Sequence, residues 1–161
     1  MVPVDIVEAD LARREHQEAI VELIDAYAAD PMGNGKPLSA EVRETLIPGL
    51  KQHPTTLIFL AYQGGKAVGI TVCFRGFSTF AARPLINIHD LAVLGAQRGQ
   101  GIGRRLLEAV EDKARALGCC KLTLETQENN RRARQVYAAA GFAQAVYEEA
   151  AGGTLFFAKP L

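Results

Sequence analysis

The chain has no surplus of charge of either sign, because Lys and Arg number 18 and so do Asp and Glu. A broad basic field of the kind that grips nucleic acid is therefore missing. Cysteine is scarce: Cys73, Cys119 and Cys120 are odd in number and the last two are adjacent. A disulfide framework is thus not expected, and a reducing, cytoplasmic setting fits better. All three lie in apolar, strand-like stretches, where cysteine acts as a small hydrophobe. No apolar run is long enough to cross a membrane. The first residues, Met1-Val2-Pro3-Val4-Asp5-Ile6-Val7-Glu8, lack the charged-then-apolar layout of a signal peptide. No His, Cys, Asp or Glu cluster has metal-ligand spacing, so no metal is expected. Repeats, linkers and low-complexity tracts are missing too. What remains is an ordinary globular composition, 48% hydrophobic and 22% charged, in 161 residues. That length suits one domain over residues 1–161, built on a single core.

The informative stretch is Leu85 to Leu117. An apolar strand, Leu85 to Val93, leads into the turn Gly95-Ala96-Gln97-Arg98-Gly99-Gln100-Gly101-Ile102-Gly103 and then a helix from Arg104 to Leu117. Ile102, Leu106, Leu107, Val110, Ala114 and Leu117 recur at helical spacing, and Gly118 stands where a C′ glycine belongs. A glycine-rich loop feeding a helix is a device for holding phosphate. The first N–H groups of a helix lack internal partners and the macrodipole is positive there. Glycines let the backbone come close, and Arg98, Arg104 and Arg105 add charge. No Gly-Lys-Ser/Thr triplet closes the loop, which excludes a Walker loop. Gly99, Gly101 and Gly103 give G-x-G-x-G rather than a dinucleotide fingerprint, although Glu125 lies at roughly the distance of a ribose contact, so a nucleotide-dependent enzyme remains an alternative.

The rest of the chain follows the same periodicities. Val2–Val7 reads as a strand, and Asp10 is placed to cap a helix to about Ala29, with Ala19, Ile20, Leu23, Ile24 and Tyr27 inward. Asp30 to Pro37 is a breaker-rich loop. Ser39 caps a second helix with Val42, Leu46, Ile47 and Leu50 inward, which Pro48 should kink or end early. Thr55–Tyr62 and Ala67–Phe77 are strands joined by the hairpin turn Gln63-Gly64-Gly65-Lys66. Lys121–Thr126 is a strand, Asn130–Ala140 a helix, and Gln144–Glu149 with Thr154–Lys159 a last hairpin. The order β-α-α-β-β-β-α-β-α-β-β implies an α/β mixed sheet of about seven strands with helices on both faces.

Two patterns, one strand apart, carry a resemblance. Arg98-x-x-Gly101-x-Gly103 resembles the pyrophosphate-binding signature of the GNAT superfamily of acetyl-CoA-dependent N-acetyltransferases. Asn130-x-x-Ala133-x-x-x-Tyr137-x-x-x-Gly141-Phe142 resembles its second motif. The element order resembles that fold from end to end. The resemblance implies a mostly antiparallel sheet in which the central strand and the next one splay apart to admit the thioester arm of CoA.

By position, Leu91 then meets the thioester carbonyl and doubles as an oxyanion donor, and Val93 meets the pantetheine. The backbone of Arg98, Gly99, Gln100, Gly101, Gly103 and Arg104 faces the diphosphate, and Asn130 reaches the pantetheine arm. Tyr137 is the implied acid for the departing thiolate; thiol and phenol pKa values lie near 8.5 and about 10. Strict alternation puts Asn87, His89, Leu91 and Val93 on one face and Ile86, Ile88, Asp90 and Ala92 on the other. His89 is therefore the expected base, directly or through water, at a position where many relatives carry glutamate. Ala96 replaces an acidic residue frequent before the arginine turn, at little cost because backbone atoms bind the ligand. The acceptor, a small-molecule or peptide amine, is expected against the first two helices, their loop and the closing hairpin, with Asn87, Tyr27, Asp25, Asp30 and Met32 as candidate lining. The implied activity is acetyl transfer to a primary amine in a ternary complex, and the alternative is a non-catalytic CoA-binding regulatory domain. No nucleic acid or membrane partner is expected. Relatives pair through a sheet edge or the final strands, which leaves a homodimer open.

Overall fold

A computed structural model describes residues 2–161. Strand β1 (Val4–Glu8) is followed by helices α1 (Arg14–Ala29) and α2 (Ala40–Gln52). Strands β2 (Thr56–Gln63), β3 (Lys66–Ser78) and β4 (Arg83–Val93) come next, then helix α3 (Ile102–Ala116), strand β5 (Leu122–Leu124) and helix α4 (Arg131–Ala139). The sheet runs β1-β2-β3-β4-β5, antiparallel except for the parallel pair β4 and β5.

Each face of the sheet seals its own core. On one face Leu57, Phe59, Ile86 and Ile88 pack against Ile102, Leu106, Leu107, Val110 and Ala114 of α3, with Val136 and Tyr137 of α4 at the margin. On the other, Ile58, Leu60, Ile70 and Val72 pack against Ala19, Ile20 and Leu23 of α1 and Ile47 and Leu50 of α2. The near-continuous apolar runs of β2 and β3 are what a strand buried on both sides requires. Gly64 and Gly65 both take positive φ, 58° and 76°, as the tight β2–β3 turn demands. Gly118, at φ 72°, ends α3, and the Cys119 N–H reaches back to the Ala114 carbonyl at 2.9 Å.

Five expectations need correction. The cap of α1 is not Asp10: its carboxylate accepts the Ala12 N–H at 2.9 Å in a local turn, and Arg13 occupies the cap position without a side-chain bond. Pro48 does not end α2, which runs to Gln52. The carbonyl that loses its partner belongs to Glu44, on an exposed turn where water can serve it. Ser39 does cap α2, accepting the Val42 N–H at 3.2 Å, but Val42 itself is exposed.

The fourth correction is the strand count. Among the described residues the sheet has five strands, because the final hairpin does not form. Only Ala145 and Thr154 are joined, through two bonds to the Ala145 carbonyl, and Glu149–Ala151 winds into a 3-10 turn. Leu155-Phe156-Phe157 is apolar at consecutive positions, so no polar alternation tells that stretch which side to bury, and a lone hairpin is marginal in water. Phe157 is 83% exposed.

The fifth concerns β4. Val72 pairs with Asp90 and Cys73 with Ile88, leaving His89 as an extra residue. This bulge resets the alternation. Ile86, Ile88, Leu91 and Val93 all pack on the α3 side, while Ala92 packs on the α1 side. His89 and Asp90 therefore face α1, away from Leu91 and Val93.

Candidate active site

The site grows from the end of β4. β5 pairs with it only at Ile86↔Leu122, Asn87↔Thr123 and Ile88↔Leu124, whereas β4 runs on to Val93. The Leu94 N–H donates to Val68 of β3, and the Thr71 hydroxyl donates to the Asp90 carbonyl. By alternation, the polar backbone groups of Leu91 and Val93 point the other way, into the gap that β5 leaves. The Val93 carbonyl there accepts Arg98 Nε at 3.0 Å.

Beyond Val93 the chain turns through Gly95–Gln97 and enters α3. Gly99 and Gly101 take φ 79° and 77°, and a side chain built on either would meet nothing within 4 Å. Among the described residues, no N–H from Gly99 to Arg104 donates to a protein acceptor; that of Arg98 is used by Gly95. These donors face the positive end of a 15-residue helix. The fit to a diphosphate is good: orphan donors, an open cradle and a basic side chain coincide. Arg104 pairs with Glu108, Arg105 with the Val4 carbonyl, and Gln100 accepts an N–H from Gln63 at 3.0 Å.

Tyr137 of α4 lies half-buried at the margin of the core, its ring edge-on to Phe142 at 6.1 Å. Burial foremost, then the nearby Tyr27 and Asp90, push its phenol up to about 12. It is thus a neutral donor across the physiological range. Asn130 caps α4, its Oδ1 accepting the Ala133 N–H at 3.2 Å, which leaves Nδ2 free to donate.

Asp90 was hidden from sequence reasoning, because strict alternation turns it away from the site. The bulge brings it under α1 beside Tyr27, and burial raises its carboxyl above the ordinary range. Tyr27 is raised as well, by burial first and then by Asp90 and Asp30. His89 is exposed and packs on Phe74 at 5.5 Å, with His53 on that same ring at 5.1 Å. Asn87 does not partner it; its amide donates to Thr123 Oγ1 at 3.0 Å. Asp25 is spent on structure, accepting the Leu38 N–H at 2.9 Å and pairing with Arg43 at 2.7 Å. The expected lining residue Asp25 is therefore a brace between α1 and α2, whereas Tyr27 lies near Asp90 and Tyr137.

The family description "Acetyltransferase (GNAT) family" matches residues 20–142. The chain belongs to the GNAT acetyltransferase family. The family uses acetyl-CoA as its co-substrate. A relative named "Uncharacterized N-acetyltransferase YhfO", from Bacillus subtilis, is 32% identical over 99 residues, covering 62% of this chain and 66% of that protein. The aminoalkylphosphonate N-acetyltransferase of Salmonella typhimurium is 34% identical over 85 residues, 53% of this chain and 55% of that one. The chain thus spans about half to two thirds of the length of these relatives. In three dimensions it is similar to AAC(6')-Iy in complex with a bisubstrate analogue, CoA-S-monomethyl-acetylneamine. That match has a TM-score of 0.75 at 18% identity, covering 99% of each chain, and it supports the GNAT fold.

Proposed function

We propose that this protein transfers an acetyl group from acetyl-CoA to a primary amine by direct attack in a ternary complex. The observation that carries the reading is the row of unspent N–H groups from Gly99 to Arg104, continuous with the open edge of β4 at Leu91 and Val93. Arg98, Gly99, Gln100, Gly101, Gly103 and Arg104 hold the diphosphate. The Val93 backbone and Asn130 Nδ2 hold the pantetheine arm, and the Leu91 N–H donates to the thioester carbonyl, where negative charge grows during attack. Bound there, acetyl-CoA supplies an activated acyl group and a thiol leaving group.

The amine nitrogen forms the new C–N bond as the C–S bond breaks; one proton leaves the nitrogen and one reaches the sulfur. Tyr137 gives the sulfur its proton and regains one from solvent. Asp90 takes the proton from nitrogen, since it is the carboxylate beside Tyr27 and Tyr137, and its raised pKa makes it the stronger base. His89, at the exposed end of the same bulge, passes that proton to solvent. The amine sources named among relatives, aminoalkylphosphonate for one, support a small-molecule acceptor.

The test is titration with CoA followed by thiol release over an amine panel. Wild type should bind CoA and release thiol with at least one amine. Tyr137→Phe should keep CoA affinity and lose about 100-fold or more in kcat. Undetectable CoA binding, or an unaltered kcat in Tyr137→Phe, would overturn the reading.

A further inference from the structure

The cradle and the loop after α1 are tied by one ion pair. Arg98 Nη2 meets Asp30 Oδ2 at 2.7 Å while its Nε stays on the Val93 carbonyl. Asp30 is the C-cap residue of α1 and the organiser of the loop that follows. Its Oδ1 accepts the Met32 N–H at 2.9 Å, and its carbonyl accepts those of Gly33 and Gly35 at 2.9 and 3.1 Å. Gly33 lies so close to the Tyr27 carbonyl that a Cβ there would stand 2.1 Å from the oxygen. The loop is therefore seated on the last turn of α1, directly below Tyr27. That turn carries Tyr27, which lies near Asp90.

A diphosphate in the cradle and the Asp30 carboxylate compete for the same guanidinium, and they repel one another. We infer that Asp30 is a positioning residue. It holds Arg98 while the cradle is free and yields it to the diphosphate, so that donor binding shifts the Asp30–Lys36 loop and prepares the acceptor side. Donor and acceptor affinities are then linked in both directions. This inference rests on the acetyltransferase reading, because it takes the cradle to hold CoA.

The charge and the loop contacts can be separated. Asp30→Asn keeps an oxygen for the Met32 N–H and removes the charge. It should tighten CoA binding by about fivefold at low salt, a gain that shrinks as salt screens the repulsion. Because the chain contains no tryptophan, Met32→Trp gives a single fluorescent reporter on the exposed loop. With Asp30 in place the reporter should shift on CoA addition; when Asp30→Asn is combined with it, its emission should already resemble the bound state. Acceptor KM should depend on acetyl-CoA concentration in the wild type and lose that dependence in Asp30→Asn. CoA binding with unchanged affinity in Asp30→Asn, or with a silent reporter, overturns this inference alone. Absence of CoA binding to the wild type overturns the acetyltransferase reading along with it.

Discussion

The middle of the sheet and its β5 end contrast sharply. β3 pairs with β4 from Gly69↔Val93 to Ser78↔Arg83, and along Gly69–Cys73 both faces of the sheet are covered by helices. At the far side β5 offers Leu122, Thr123 and Leu124 to β4, and its outer edge has no strand beside it among the described residues. The chain then ends with Val146, Tyr147, Leu155, Phe156 and Phe157 exposed. The same residue types occur in both regions. What differs is whether a second layer covers them, and hydrophobic residues stabilise only where water is displaced.

That contrast can be broken by experiment. The largest effect should come from Leu106→Ala, which opens a cavity where the side chain is fully buried between α3 and the sheet. Chemical denaturation should show a loss of about 2–5 kcal/mol. An intermediate effect is expected at the bulge. Because burial raises the Asp90 carboxyl, the stability linked to its protonated form is complete below the ordinary carboxylate range and lost as pH rises through the raised value. Asp90→Asn should therefore raise Tm near neutral pH and leave it unchanged at about pH 3, where either side chain is neutral. An equal gain at both pH values would show that the buried charge is not the cause. The smallest effect belongs to Phe157→Ser, within about 0.5 kcal/mol. A loss as large as that of Leu106→Ala would mean that the final segment is packed, and the contrast between the two regions would fall.

Where two independent signals agreed, the sequence was a sound guide. The Ile102–Ala114 stripe and Gly118 bound α3 from both sides, and the Asn130 cap and Tyr137 stand one above the other on α4 as their spacing requires. The glycine cradle was legible because positive φ at Gly99 and Gly101 leaves a compositional trace. The bulge left none. His89 is an unremarkable residue in an apolar run, and nothing in Ile88-His89-Asp90-Leu91 marks which one is supernumerary; only pairing with β3 decides it. So His89, expected on the side of Leu91 and Val93, lies instead on the α1 side together with Asp90, exposed where Asp90 is half-buried near Tyr27. The final hairpin failed for another reason: Leu155-Phe156-Phe157 has strand propensity without facedness, and propensity alone does not create a partner.

The extra residue in β4 works like a skipped tooth in a zip. Upstream of it the even-numbered Ile86 and Ile88 belong to the α3 layer; downstream the odd-numbered Leu91 and Val93 do. Imidazole and carboxylate consequently lean the same way although they are neighbours, which a regular ribbon forbids. Excising His89 would leave Leu91 and Val93 with the helices they now touch, because the remaining residues would resume plain alternation. What would vanish is the local kink, and a straightened strand would keep abreast of β5 beyond Ile88. The cleft would then fasten shut on a protein that still folds, so losing this one residue should silence the chemistry while sparing the core.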